Sequence, residues 1–280
     1  MPRARPLALT ALLSLTALLP LATLVGCADQ PVGVPPATVS SPAPRPRGTP
    51  HELADTVHAA VVDERSARLS GEASDDGGPA RLDGSLRFSA NGTDLDVTGD
   101  RGGPSDPADQ ARKRSRAITV GPTSYLRPPP GTTPPDRPWV RVDPDSRDPF
   151  QRYATLYTAA LRSAVDPERL LALAVAGGRI TRTDVERDDG VETVHYTLQV
   201  DLPGGTPHPG QAPEFRALAD AGVRSMSFEL WVDGRDLPVR AKTAQHVPAL
   251  GAVTSDVRYR DWGQAVRIEP PPRDEISNPA

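Results

Sequence analysis

Apolar residues recur along this chain with two different periods, and the alternation between those periods lays out its elements. Thr49-Pro50-His51-Glu52 places a hydroxyl at an N-cap, Pro at the first helical position and Glu at the third, a capping box. Leu53, Val57, Ala60 and Val61 follow at helical spacing and predict a helix over 51–65, with His58 near its buried stripe as a satisfied boundary side chain. Strands begin after Ala67. Over 80–90, Leu82, Leu86 and Phe88 alternate with Arg81, Asp83, Ser85 and Arg87, and Asn91-Gly92 turns the chain into a second arm carrying Leu95 and Val97. Shorter strand patterns follow at 116–120, 124–127 and 139–142, interrupted by polar or proline-rich loops at 99–116 and 128–138.

Two helices with proline starts come next. Asp148-Pro149 introduces a stripe of Phe150, Tyr153, Leu156, Tyr157, Ala160 and Leu161. Asp166-Pro167 introduces Leu170, Leu171, Leu173 and Ala174, stopped by Gly177-Gly178. The remainder reads as long strands. Val194, Tyr196, Leu198, Val200 and Leu202 share one face after an Asp189-Gly190 turn, with His195, Thr197 and Gln199 opposite. A Pro/Gly loop at 203–213 leads to a short helix around Phe215 and Leu218. Met226, Phe228, Leu230 and Val232 then alternate with polar partners up to an Asp233-Gly234 turn, and Leu237, Val239 and Ala241 return. Val253, Val257 and Tyr259 mark a last strand, broken at Trp262-Gly263 before Val266 and Ile268. Sorted by element, the class is α+β: an antiparallel sheet, apolar on one face, whose length predicts a curved half-barrel with helices covering the concave apolar side.

Composition changes this picture mainly at the N-terminus. Arg3 and Arg5 precede an apolar run from Leu7 to Val25, a secretory signal in form. Its end, Leu24-Val25-Gly26-Cys27, resembles the lipobox of bacterial lipoproteins and holds the only cysteine of the chain. The resemblance implies a signal peptide over 1–26, a diacylglyceryl group on the Cys27 thiol, and a mature chain starting at Cys27. An ordinary signal would end in an Ala-x-Ala type site. A spanning helix needs about 20 apolar residues, for which Pro20 and the threonines make this run a poor choice. The expected location is extracytoplasmic, anchored to the outer leaflet of the cytoplasmic membrane, with membrane lipid held through acylated Cys27. Residues 27–50, proline-rich and aperiodic, read as a tether reaching about 25 Å as coil and about 70 Å as polyproline. The folded domain is expected over 51–270 and a disordered tail over 271–280.

Charge is nearly balanced, with 32 Lys and Arg against 36 Asp and Glu, which argues against nucleic acid as a partner. One cysteine excludes an internal disulfide and any cysteine-based metal site. The 33 prolines in 280 residues are over twice the usual ~5 %, and they fall between periodic segments. The basic run Arg112-Lys113-Arg114-Ser115-Arg116 is a solvated loop, or alternatively a contact for anionic head groups.

Three stretches resemble the LppX/LprG lipoproteins of actinobacterial envelopes. Pro138-Trp139-Val140-Arg141-Val142-Asp143 is similar to their short strand ahead of the central helices. Glu229-Leu230-Trp231-Val232-Asp233-Gly234, with Leu237-Pro238, is similar to their late hairpin. Tyr259-Arg260-Asp261-Trp262-Gly263 is similar to their closing strand, and the order of elements matches over about residues 50–270. The resemblance implies a LolA-like half-barrel around a lipid-sized cavity and a role in binding or moving acylated lipids or lipoglycans.

Catalytic patterns are missing from the sequence. It has no Gly-x-Ser-x-Gly elbow, no phosphate-cradling glycine loop and no His-x-x-x-His pair, so neither enzyme activity, nor a cofactor, nor a metal is expected. Asp143-Pro144-Asp145-Ser146-Arg147-Asp148 begins like a calcium loop, but it lacks glycine at the sixth position and reads as a helix-entry turn. Asp184, Glu186, Asp188 and Asp189 follow from hairpin alternation. Two functions remain. One is a lipoprotein that binds or transfers lipid, with Leu86, Phe88, Leu156, Tyr157, Tyr196, Leu198, Phe228 and Leu230 lining the interior, where the same residues would also make an ordinary dry core. The other is an envelope sensor or protein-binding scaffold of the same fold, as in RseB-like regulators, with an unidentified protein partner and no lipid cargo.

Overall fold

The structure is a computed structural model that describes residues 42–101, 114–202, 218–248 and 250–277. The signal, Cys27, the loop 203–213 and the start of the helix around Phe215 lie outside the described residues.

Helix α1 (Pro50–Glu64) is followed by strands β1 (Ser66–Asp75), β2 (Gly78–Ser89), β3 (Gly92–Asp100), β4 (Arg114–Val120), β5 (Thr123–Arg127) and β6 (Trp139–Arg141). Helices α2 (Pro149–Val165) and α3 (Pro167–Gly177) come next. Strands β7 (Gly178–Asp188), β8 (Val191–Asp201), β9 (Ser225–Asp233), β10 (Pro238–Val247), β11 (Gly251–Arg260) and β12 (Ile276–Ser277) complete the order. The twelve strands among the described residues form one open sheet, β12-β6-β5-β4-β3-β2-β1-β11-β10-β9-β8-β7, antiparallel throughout except between β12 and β6.

The helices lie against one face, and the sheet bends around them. Helix α1 packs on β1 and β2 and also on β7, which is five strand spacings from β1 in the sheet order, about 24 Å if the sheet were flat. Helix α2 likewise joins β5 to β10 and β11. Two glycines on the inner face permit the bend. A methyl group on Gly71 would collide with the Asp256 carbonyl, and one on Gly84 would lie 2.6 Å from the Asp96 carbonyl oxygen. Strand glycines mark such close backbone approach. The α+β class and the helix-covered concave face are therefore as the periodicity predicts.

Each helix start carries the cap that its sequence announces. Thr49 accepts from the Glu52 amide, Asp148 from Gln151, and Asp166 from Glu168 and Arg169. Asp166 does more than cap. Its buried carboxylate also accepts from the Thr93 hydroxyl at 3.2 Å and from Arg162 Nε at 3.4 Å, tying α2, α3 and β3 together. Asp166→Ala is expected to destabilise the fold by about 2–3 kcal/mol, since it removes a cap and strands buried donors. Urea unfolding with an unchanged m-value checks this, and Asp166→Asn should recover part of the loss.

The chain ends differ from expectation in a physically simple way. Residues 42–48, the last part of the predicted tether, lie on the domain. Pro42 passes directly over Gly234, where any side chain would collide with its carbonyl. The Arg47 amide donates to Tyr196 Oη at 2.7 Å, and the Arg47 guanidinium pairs with both carboxylate oxygens of Asp236 at 2.8 and 2.9 Å. Gly234 thus serves a chain crossing. The turn itself is longer than two residues, closed by Asp233 Oδ1, which accepts from the Arg235 and Leu237 amides.

At the other end, residues 271–277 are not frayed. They form a 3₁₀ turn (Arg273–Glu275) and then β12, whose Ile276 and Ser277 pair with Trp139 and Val140. The preceding segment lays Ile268 against Ile118 and Trp139 on the convex face, so that burial fixes the tail. The polar stretch 99–116 also begins and ends as strand. Arg114 pairs with Asp100, and Arg116 with Asp96, across β3 and β4, which removes two of the basic residues from any free patch.

Candidate functional site

The principal core is built from inward residues of β1–β3 and β8–β11 and from helices α1, α2 and α3. Leu86, Phe88, Tyr196, Leu198, Phe228 and Leu230 are each 3 % exposed or less, Leu156 is 8 % exposed, and all seven belong to one packed cluster. The structure therefore brings seven of the eight proposed lining residues together as close-packed core. Tyr157 is the exception, because it stands at an opening.

That opening is a cleft of about 50 Å³ between α2 and the sheet. Helix α2 contributes Tyr157, Ala160, Leu161 and Ala164; the sheet contributes Ala73, Ala80, Leu82 and Val253, and Leu250 closes one end. Four alanines at a helix–sheet contact leave a gap where larger side chains would meet. The volume is well below the ~300–1,000 Å³ of typical ligand pockets, so the cleft as it stands is an entrance with the core closed behind it. Wider grooves of about 390 and 480 Å³ lie over β9, β10 and β11, but they are broad and open to solvent.

The cleft has a charged rim. Arg101 donates to Asp75 Oδ1 at 2.6 Å and to the Gly78 carbonyl at 3.0 Å. Burial raises the Asp75 pKa, but the Arg101 guanidinium outweighs it and holds the carboxyl below its ordinary range. Tyr157 Oη and Ser115 Oγ are hydrogen-bonded at 2.8 Å, and Tyr153, nearly half exposed, stacks on Tyr157 with ring centres 6.0 Å apart. An apolar slot edged by aromatic rings and one ion pair is suited to admitting a hydrocarbon chain.

The sequence reading missed Ala73, Ala80 and Ala164, and it placed Ala160 in the α2 stripe without a role at the cleft. It also missed a convex-face cluster centred on Trp231. His195 stacks on that indole at 4.1 Å, Arg240 lies over it at 4.9 Å, and the indole N–H donates to Glu186 at 2.6 Å. Glu186 and Asp188 of the acidic run are thus structural partners, Asp188 accepting from Arg258 at 2.6 Å and Arg240 at 3.1 Å. His58 is satisfied by Glu168 across α1 and α3. Among the described residues no group of three or more His, Cys, Asp or Glu side chains is placed to hold a metal ion, and no helix is long and apolar enough to cross a membrane.

The geometry defines a class first: an open antiparallel sheet curled over helices, with an apolar cleft at the helix–sheet seam. Comparison with known proteins then gives its likenesses. No family model matches the sequence. An uncharacterized 31.2 kDa protein from the rplA–rplJ intergenic region of Streptomyces griseus is 32 % identical over 111 residues, 38 % of this chain. The match spans only 36 % of the length of that relative. Among solved structures the chain is similar to the Mycobacterium tuberculosis lipoprotein LppX, at 16 % identity and TM-score 0.39, covering 78 % of this chain and 99 % of LppX. A lipoprotein-sorting protein domain from Vibrio parahaemolyticus (9 % identity, TM-score 0.32) covers 75 % of this chain and 89 % of its own. The MucA/MucB complex of Pseudomonas aeruginosa (15 % identity, TM-score 0.32) covers 74 % and 55 % respectively.

Proposed function

We propose that this protein is a lipid-anchored lipoprotein of the bacterial envelope that takes up an acyl chain between α2 and the sheet. The cleft lined by Ala73, Ala80, Ala160 and Ala164 carries this reading, because it is an apolar seam whose Leu82, Ala160, Ala164 and Val253 also belong to the principal core. Opening it requires α2 to lift from β10 and β11. Each methylene then buried returns about 0.8 kcal/mol, so a chain of ordinary acyl length offsets the loss of a few helix–sheet contacts. The lipobox ending at Cys27 supports the anchored location. With residues 42–48 docked on the domain, fourteen residues lie between Cys27 and Pro42, and the link spans at most about 54 Å.

The test is lipid extraction from vesicles of phosphatidylglycerol carrying a trace of a radiolabelled acyl lipid. The protein should emerge from gel filtration with label, and Ala160→Trp, which fills the cleft, should lower the bound label at least about tenfold while retaining a cooperative unfolding transition. Equal label on both proteins, or none on either, contradicts the reading.

A second reading, a protein-binding scaffold, is favoured by one observation. Strand β7 is an open sheet edge, and Val185 on it and Val191 beyond its turn are 54 % and 42 % exposed. Chemical crosslinking in envelope membranes that joins β7 to one protein in stoichiometric yield would support it.

A further inference from the structure

The concave wall made by β10 and β11 is polar at one place. Thr243, Gln245 and Ser255 face inward there and are all buried. Thr243 Oγ1 and Ser255 Oγ are 2.7 Å apart, and Ser255 Oγ donates to the Ala164 carbonyl of α2 at 3.2 Å. Gln245 is 6 % exposed and has nothing comparable. Its register partners are Val253 on β11 and Met226 on β9, both part of the apolar core, and neither Nε2 nor Oε1 has a hydrogen-bond partner. On α2, Ser163 is 1 % exposed with its hydroxyl also unpartnered.

A buried primary amide offers two donors and a carbonyl acceptor, and leaving them unmade costs the desolvation of each atom. Folded proteins leave few such groups, and each asks for an explanation. Gln245 also sits beside the cleft: Val253, its cross-strand neighbour at about one strand spacing, lines the cleft. Building on the acyl-binding reading above, we infer that Gln245 is an interior anchor for the polar end of the ligand. The chemistry of the anchor selects the ligand class. The amide is neutral, and the nearest ionisable neighbours along β10, Lys242 and His246, stand on the opposite face by alternation. An ionised carboxylate would be buried there without a counter-charge, at large cost. A neutral acyl ester that also carries a hydroxyl fits, its carbonyl accepting from Nε2 and its hydroxyl donating to Oε1.

The test compares wild type with Gln245→Leu and, as a second shape-conserving variant, Gln245→Met. N-phenyl-1-naphthylamine, an apolar fluorescent probe without a carbonyl, reports the interior directly, and 1-lauroylglycerol and laurate are titrated to displace it. Wild type should prefer 1-lauroylglycerol over laurate. Both variants should lose about tenfold of the preference for 1-lauroylglycerol over the probe, the scale of one buried hydrogen-bond anchor. The lipid-free variants should also melt at higher temperature than wild type, since they no longer bury unpaired amide atoms. Probe binding with an unchanged preference in both variants overturns the role of Gln245 and leaves the acyl-binding reading standing. Failure of probe and ester to bind wild type overturns both.

Discussion

Phe228→Ala is expected to destabilise the protein by about 3–5 kcal/mol, the range for truncating a large buried aromatic. The ring is 1 % exposed and sits between Leu198 of β8 and Thr243 of β10 in the sheet register, within the principal core. The cost separates two views of the interior. A ring that lined an empty cavity would lose few contacts on truncation, whereas a ring in a close-packed core leaves a void that its neighbours fill only in part. Tyr157→Ala is the matched control. Its ring borders the cleft and its hydroxyl bonds Ser115, so it should cost less than half as much. Chemical denaturation of both variants with a common m-value gives the comparison. A small loss for Phe228→Ala would mean an interior that is open without ligand.

The second large effect is electrostatic. Asp188→Asn is expected to cost about 2–3 kcal/mol at pH 7. The Asp188 carboxylate is only a tenth exposed and holds the end of β7 against Arg240 and Arg258 of β10 and β11. Burial raises its pKa, but the two guanidinium groups outweigh burial and set it below the ordinary carboxylate range. A carboxyl whose folded pKa is depressed binds its proton more readily when unfolded. Its contribution is therefore complete above the unfolded value of about 3.9 and disappears as pH falls through the folded value. The stability gap between wild type and Asp188→Asn should be constant from pH 8 to about 5 and begin to shrink below about pH 4. Glu168 has the opposite sign. Burial raises its pKa despite the hydrogen bond from His58, so its ionisation costs stability as pH rises and does not reproduce that acid-side loss. Unfolding midpoints measured for both proteins across this pH range and down to the acid limit of the fold decide the matter, and a gap that stays undiminished on acidification would refute the ion pair.

Much of the fold could be read from spacing alone, because the features that set it are local. Caps at Thr49, Asp148 and Asp166, glycine turns at Gly92 and Gly190, and alternation in β2, β8 and β9 each follow from a few adjacent residues. What escaped depends on distant neighbours. Gly234 looks like a turn glycine, yet its bare Cα is needed for Pro42 to cross. Gly71 and Gly84 look like flaws in good strands, yet they let the sheet bend. Ile268 and Ile276 are too sparse to announce burial, and only the exposed convex face of β4–β6 gives them a partner. Trp231 falls at a polar position in the alternation because its face is covered by charged side chains that stack on it. For the site, aromatic and leucine positions mark the core efficiently, but an entrance is made by what is small. Alanines 73, 80 and 164 therefore carry no forward signal, Ala160 shows only as one member of the α2 stripe, and an unpaired amide at Gln245 becomes visible only once every neighbour is placed.

The central claim is that the α2–sheet cleft admits an acyl chain, and the most direct measurement is native mass spectrometry of the protein extracted gently from its own membranes. The account predicts a mature chain starting at an acylated Cys27 with an additional, dissociable lipid mass, and loss of that mass in Ala160→Trp. A single bare species for wild type, with no lipid recovered on activation in the gas phase, would contradict it.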